Sequence, residues 1–283
     1  MIASSLTAAE TADDGQDPVQ GAVEISVAGV SKEYQTDRTK VVALSDINLD
    51  IRKEEFVSLV GRSGCGKTTL LRTMAGLVSP TAGNILIGGR PLWKGSAVDA
   101  SVVRRLGVVF QDANLFPWYS IEDNIALPLK LRGTPKKERL RRARELADLV
   151  GLGDFLKSYP RELSGGMRQR AAIARALSDN PEILLMDEPF GALDALTREK
   201  MNLEIQRIAQ STRATVVFVT HDIEESVFLG DRVVLLTPRP GRISDISEIP
   251  FPRPRGAEVQ RAPEFTSAVG GLRQLLHVED DDA

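Results

Sequence analysis

The sequence predicts an α/β fold: a mostly parallel, RecA-like sheet flanked by helices, a small antiparallel β-layer ahead of it and a helical subdomain. Three observations carry this. From residue 183 onward β and α segments alternate (Ile183–Met186, helix 195–210, Thr215–Val219, helix 222–229, Val233–Leu236), as in a parallel sheet with crossover helices. The apolar run Phe56–Val60 leads through a glycine-rich loop into a helix (68–76) with apolar Leu70, Leu71, Met74 and Ala75 at helical spacing. Between about 112 and 180 the texture is helical.

Taken in order, residues 1–21 are rich in Ala, Ser, Thr, Asp and Gln without periodicity and read as a disordered lead. Val23–Val30 and Leu44–Ile51 read as strands of the β-layer, and Ile85–Ile87 as a strand entering the Gly88-Gly89 turn. Leu106–Phe110 is a further buried-type strand. Thr134-Pro135 opens a helix carrying Leu140, Ala143, Leu146, Ala147 and Val150. Ser164 caps a helix that runs to Ser178 and stops at Asn180-Pro181. Pro238–Gly241 is the turn of a hairpin leading to Ile243 and Ile246. The main domain is thus expected over 22–250, its helical subdomain over about 112–180. A Pro/Arg-rich linker, a short amphipathic helix (Phe265, Val269, Leu272, Leu276) and an acidic tail fill 251–283.

Composition narrows the function classes. The 36 Lys and Arg against 39 Asp and Glu leave a net charge of −3, which gives no global case for nucleic-acid or anionic-membrane binding. One cysteine, Cys65, excludes an intramolecular disulfide and fits a reducing compartment. No run approaches the ~18 apolar residues of a membrane span, and the N-terminus lacks the pattern of a secretory signal, so a soluble cytoplasmic protein is expected.

The loop Gly61-Arg62-Ser63-Gly64-Cys65-Gly66-Lys67-Thr68-Thr69 holds the clearest chemistry. Its glycines let backbone N–H groups converge on an anion, and the following helix adds its orphan donors and positive dipole end. Lys67 reaches β- and γ-phosphates, and the Thr68 hydroxyl is placed to ligate Mg²⁺. Cys65 reads as a small side chain tolerated there; a reactive thiol at a helix N-terminus is the alternative. The loop points to a nucleoside triphosphate. Ile183–Glu188 is an apolar strand ending in two carboxylates. Beside a phosphate loop, Asp187 can hold Mg²⁺ through its waters and Glu188 can polarise an attacking water.

Leu163-Ser164-Gly165-Gly166-Met167-Arg168-Gln169-Arg170, placed ahead of the Asp-Glu strand, closely resembles the signature motif of ATP-binding cassette (ABC) ATPases. The resemblance covers residues 23–250 and implies a P-loop NTPase cassette that binds ATP with Mg²⁺ and hydrolyses it. It implies roles that the residues alone leave open. Tyr34 matches the adenine-stacking aromatic, although it reads equally as a side chain packed at a strand end. Gln111 matches the Q-loop glutamine that senses Mg²⁺ and water, although it reads equally as a turn residue. His221 matches the switch histidine at the γ-phosphate, although it reads equally as a neighbour of a helix cap. Gly61–Thr69 matches the Walker A loop, Asp187 the Walker B metal-side acid and Glu188 the catalytic glutamate. Gly191-Ala192-Leu193-Asp194 matches the D-loop, with Gly191 where the family usually has Ser; Asp194 is retained.

In this family two cassettes pair head to tail, so Ser164, Gly165 and Gly166 would act on the partner's nucleotide. Two function classes follow: the energising subunit of a membrane importer, or a soluble ABC ATPase acting on nucleic acid or the ribosome. Sustained heptads and a second cassette, features of the soluble classes, are missing, and the basic stretch Lys130–Arg144 reads as a solvated helix face. Asn114–Trp118, Asp123–Leu129 and Pro238–Ile243 look like the nitrate/sulfonate/taurine import branch. The partners implied are a second cassette, integral membrane permease subunits and, indirectly, a solute-binding protein, with no nucleic acid. The implied place is the cytoplasmic face of the inner membrane, held peripherally.

Overall fold

In the computed structural model, which describes residues 21–35 and 39–281, two sheets pack on a shared layer of helices and a third, helical unit stands beside them. The chain runs β1 (Val23–Gln35), β2 (Lys40–Arg52), β3 (Phe56–Gly61), α1 (Lys67–Met74), β4 (Ala82–Ile87), then the short β5 (Arg90–Pro91), β6 (Trp93–Lys94) and β7 (Ala97–Val98). It continues through α2 (Ala100–Val103), β8 (Leu106–Val109), α3 (Ile121–Leu131), α4 (Lys136–Leu149), α5 (Gly165–Leu177), β9 (Ile183–Asp187), α6 (Ala195–Thr212) and β10 (Thr215–Val219). It ends with α7 (Ile223–Leu229), β11 (Arg232–Leu236), β12 (Ile243–Glu248) and α8 (Pro263–Asp281).

The main sheet has the order β12-β11-β3-β10-β9-β8, all parallel except the antiparallel edge strand β12. Its central strands are apolar throughout because both faces are covered. Phe56 and Val60 of β3, Leu184 and Met186 of β9, and Val216 and Phe218 of β10 face the core under α5, α6, α7 and α8. Their neighbours Val57, Leu59, Ile183, Leu185, Val217 and Val219 face the other core, shared with α1 and the β-layer. That layer is antiparallel, in the order β2-β1-β4-β5. The expected α/β class with its two sheets is what the chain adopts.

Some boundaries differ from expectation, for local reasons. β1 and β2 extend past Val30 and start before Leu44, since register shifts around Val27 and Lys32 carry the pairing through polar residues that break the apolar alternation. The strands β5 to β7 are two residues each and carry no period to read. α4 begins after Pro135, with Pro135 in extended backbone at the cap position. The N-terminal lead lies outside the described residues, as do the side chains of the acidic end.

In the helical subdomain α3, α4 and α5 bury Ile125, Ala126, Ala143, Leu146, Ala147 and Ala171 against one another. The cations of the basic stretch are largely committed within the chain: Arg144 and Lys157 clamp the buried Glu122 at 2.7 and 2.6 Å, Arg142 donates to Asn180, and Arg132 pairs with Asp179. Burial of Glu122 opposes its ionisation, but Lys157 and Arg144 outweigh it and hold the carboxyl below its usual range.

The Pro/Arg-rich stretch expected as a linker is pinned. Arg255 is 1% exposed and donates to the carbonyls of Val227, Phe228 and Gly230 at the end of α7 and to Phe251 O. It thereby satisfies helix-end carbonyls that would otherwise be orphaned. Gln206 of α6 fixes its backbone from both sides, at 2.9 and 3.2 Å. Burial pulls its pKa down to about 10, with Asp231 opposing. α8 then lays Phe265, Val269 and Leu272 onto the same core. Replacing this guanidinium leaves several buried carbonyls without donors, so Arg255→Ala should lower unfolding stability by about 2–4 kcal/mol. Urea denaturation measures it, and a midpoint unchanged from the parent would refute it.

Candidate functional site

Parallel strands end on one edge of a sheet, so the residues that follow β3, β8, β9, β10 and β11 meet there. They enclose a cavity of about 360 Å³. Ser63, Gly64, Gly66, Lys67, Thr68 and Thr69 form its floor, and Gln111, Glu188, His221 and Tyr34 line its walls. Of the remaining predicted residues, Gly61, Cys65 and Asp187 are buried, Arg62 is exposed, and none of the four lines the cavity.

The loop is tightly seated. Gly64 and Gly66 have φ of 81° and 108°, left-handed values that glycine adopts at no steric cost. A Cβ on Gly66 would lie 2.7 Å from Leu44 Cδ2 and 2.8 Å from Ala43 O; one on Gly61 would lie 2.8 Å from Leu236 O. Lys67 is 5% exposed and its Nζ donates to the carbonyls of Gly61 (2.6 Å) and Arg62 (3.1 Å). Cys65 is buried under the loop, which favours the reading of a small packed side chain.

The two acids at the end of β9 diverge. Asp187 is buried, and the Thr68 hydroxyl donates to its Oδ1 at 2.9 Å. Burial lifts the Asp187 carboxyl above its usual range, Thr68 opposes this and the charge of Glu188 adds to it. Glu188 has φ 44°, which turns its side chain out of the strand into the cavity while its N–H donates to Val219 O at 3.0 Å. There Gln111 Nε2 donates to Glu188 Oε2 at 3.5 Å, and His221 Nδ1 lies 3.3 Å from the same oxygen. A hydroxyl and a carboxylate in contact under a phosphate loop are hard oxygen donors and suit Mg²⁺.

Ser164, Gly165, Gly166 and Asp194 do not line this cavity. Ser164 caps α5 by accepting from Met167 N–H at 3.2 Å. Gly166 sits against the D-loop, where a Cβ would meet Leu193 Cδ2 at 3.1 Å and Ala192 O at 3.3 Å. Asp194 caps α6 through Thr197 N–H at 3.0 Å, which holds its carboxyl below the usual range.

Three residues of the wall were not singled out from the sequence. Val41 and Ala43 share one face of β2, an alternation obscured by the register shifts of the β1–β2 pair. Arg239 lies in the Pro-Arg-Pro-Gly turn, which the sequence offers as a hairpin turn and a branch resemblance without marking the arginine as a binding residue. Behind His221 a fourth stands out. Glu225 is 8% exposed, accepts from Thr220 Oγ1 at 2.6 Å, and leaves Oε1 unpaired beside a pocket of about 50 Å³ shared with Glu188 and Arg198.

Burial pushes the Glu225 carboxyl up to about 7; the Thr220 hydrogen bond opposes this and Asp222 adds to it. A folded-state pKa raised above the unfolded value means stability that is complete below pH ~4.5 and lost as pH rises through 7. Glu225→Gln should therefore match the parent near pH 5 and exceed it at pH 8 by on the order of 2–3 kcal/mol. Thermal unfolding of both proteins across pH 5–8 checks this; parallel curves would contradict it.

The profile of the ABC transporter family matches residues 44–191. The chain is 47% identical to the taurine import ATP-binding protein TauB of Rhizobium johnstonii, covering 85% of this chain and 91% of that protein. It is 43% identical to the nitrate import ATP-binding protein NrtD of a Synechocystis strain (90% and 95% covered). It is 42% identical to an aliphatic sulfonates import ATP-binding protein, SsuB, of Bacillus cereus (83% and 90% covered). Among solved structures it is similar to the dimeric post-hydrolysis ATP-binding cassette MJ0796 bound to ADP and Pi. There the TM-score is 0.73 at 34% identity, covering 82% of this chain and 99% of that one. With the phosphate loop, the paired acids and the signature helix on one such scaffold, the chain belongs to the ABC transporter family as an ATP-binding cassette ATPase.

Proposed function

We propose that the chain is the ATP-hydrolysing subunit of a membrane importer for a small anion or organic solute of the nitrate, alkanesulfonate or taurine type. The observation that carries the chemistry is the convergence of Lys67, Gln111, Glu188 and His221 on one cavity floored by the phosphate loop. Glu188 holds a water in line with the γ-phosphorus and accepts its proton. A P–O bond forms to that water as the bond to ADP breaks. Lys67 and His221 bear on the γ-phosphoryl oxygens, where charge accumulates. Thr68, Asp187 and Gln111 are the residues that would hold Mg²⁺. That ion, when bound, would supply charge neutralisation at the phosphates.

The signature residues do not line their own chain's cavity, which supports a head-to-tail homodimer in which Ser164, Gly165 and Gly166 close on the partner's nucleotide. The start of α5 then offers its backbone donors to the γ-phosphate, and ATP holds the two copies together. Asp194, in the adjoining D-loop, belongs to the same interface. Tyr34, 39% exposed at the end of β1, is available to stack on adenine.

The importer reading draws support from a second surface. Phe116, Trp118 and Tyr119 form one aromatic cluster, with Trp118 66% exposed, and Lys130 Nζ lies 5.0 Å from the Tyr119 ring centre. Next to it Leu131, 79% exposed, borders a cavity of about 630 Å³ with Pro128, Leu106 and Val103 on its apolar side and Arg104 and Arg132 on its polar one. Exposed aromatic and aliphatic side chains such as Trp118 and Leu131 mark contact surfaces, and a cytoplasmic helix of a permease subunit fits here. No helix among the described residues is long and apolar enough to cross a membrane, so attachment rests on such a partner. The solute class is drawn from the import ATP-binding relatives and the Asn114–Trp118 wording, with a solute-binding protein acting upstream of the permease.

Glu188→Gln should retain ATP binding, lose turnover by ~10²–10⁴ and accumulate an ATP-bound dimer. Phosphate release and size-exclusion chromatography with ATP-Mg²⁺ read both, and undiminished turnover would remove Glu188 from the mechanism. Tagged Glu188→Gln protein from detergent-solubilised cells should bring down a small polytopic membrane protein, and the double substitution Trp118→Ala with Leu131→Glu should release it. Recovery of ribosomes or nucleic acid without a membrane partner would overturn the importer assignment.

A further inference from the structure

The basic side chains around the nucleotide cavity are not equivalent. Lys67 is buried and donates within its own loop, and His221 is directed at Glu188. Arg239 also lines the cavity, yet it is exposed, pairs with no carboxylate among the described residues, and makes one long hydrogen bond, Nη2 to Gly64 O at 3.4 Å. A guanidinium has five donors, so most of its capacity is left for a ligand.

The turn that carries it is rigid. Thr237 N–H donates to Arg242 O at 2.9 Å, and Thr237 Oγ1 both donates to Pro240 O at 3.1 Å and accepts from Arg242 N–H at 3.0 Å. Gly241 N–H donates to Ala43 O, and Gly241 O accepts from Ser45 N–H, each at 3.0 Å. A Cβ on Gly241 would overlap Cys65 O, so turn and phosphate loop are in direct contact. Hence Arg239 is held over the loop by backbone that cannot withdraw without disturbing β2.

We propose that Arg239 is a nucleotide-binding residue whose guanidinium takes a phosphate oxygen of the bound nucleoside triphosphate from the solvent side of the loop. The proposal rests on the ATP-hydrolysing reading above and adds a contact to it. Planar guanidinium donors match phosphate oxygens, and the carboxylates near the cavity are already engaged: Asp187 by Thr68, Glu188 by Gln111 and His221. The rim position limits the effect through solvent screening.

The test is a titration of full-length protein with fluorescent ribose-labelled ATP at low and high salt, for the parent and Arg239→Ala, Arg239→Met and Arg239→Lys. Arg239→Ala and Arg239→Met should each raise Kd about fivefold to twentyfold at low salt and flatten its salt dependence, with Arg239→Lys recovering part of the loss. A Kd for Arg239→Ala within twofold of the parent would overturn the proposal. So would full recovery by Arg239→Met, which would make the contact one of packing. An unchanged Kd with impaired ATP-dependent dimerisation would overturn it too, by assigning Arg239 to the second copy. Thermal unfolding of each variant controls for folding, which an exposed side chain should leave intact. Failure of the parent to bind the probe would instead remove the ATP reading itself, so the two failures are distinguishable.

Discussion

The phosphate loop keeps its shape because three surfaces close on it with no space for a side chain between. Gly66 lies against Leu44 of β2, Gly61 against Leu236 of β11, and Gly241 of the β11–β12 turn against Cys65. These contacts belong to different sheets, and the backbone bridge between Leu44 and Gly241 fastens the antiparallel layer to the parallel one at the same spot. The loop is therefore not a flexible appendage between a strand and a helix. It is the place where the two halves of the domain are joined.

From that seat the division of labour between neighbouring acids follows. Asp187 and Glu188 are adjacent in sequence and share a strand end, yet one is buried against Thr68 and the other stands in the cavity. A regular strand would alternate them across the sheet, toward opposite cores. The left-handed backbone at Glu188 instead brings both to the same edge with different surroundings. Different surroundings are what allow two identical functional groups to serve different ends.

Much of this was legible in the residues, and the reasons are specific. β3, β9 and β10 read as strands because burial on both faces makes them continuous apolar runs, and the glycines of the loop stand where only a missing Cβ fits. Once the strands are parallel, the residues after each of them share an edge, so Gln111, Glu188 and His221 gather without further information. What stayed hidden depends on partners distant in sequence. Arg255 sits in a Pro-Arg-Pro-Arg stretch that any composition rule reads as solvated; its burial is tolerable only because α7 happens to end beside it. Glu225 looks like one more acid in the first turn of a helix, and only the packing around Thr220 removes it from water. Val41 and Ala43 were lost among the register shifts of β1 and β2.

Helix α5 has a mechanical consequence. It starts at the signature residues, and along its length Gln169 grips Phe110 O at 2.8 Å while Arg175 grips Ala113 O and Asn114 O at 2.8 and 2.7 Å. Asn124 then ties Phe116 to α3 through its backbone N–H and carbonyl. Thirteen residues of α-helix span ~20 Å, and a helix hardly compresses. The element is thus a strut: a displacement imposed at its capped end is carried along it to the glutamine segment and to the aromatic surface beyond.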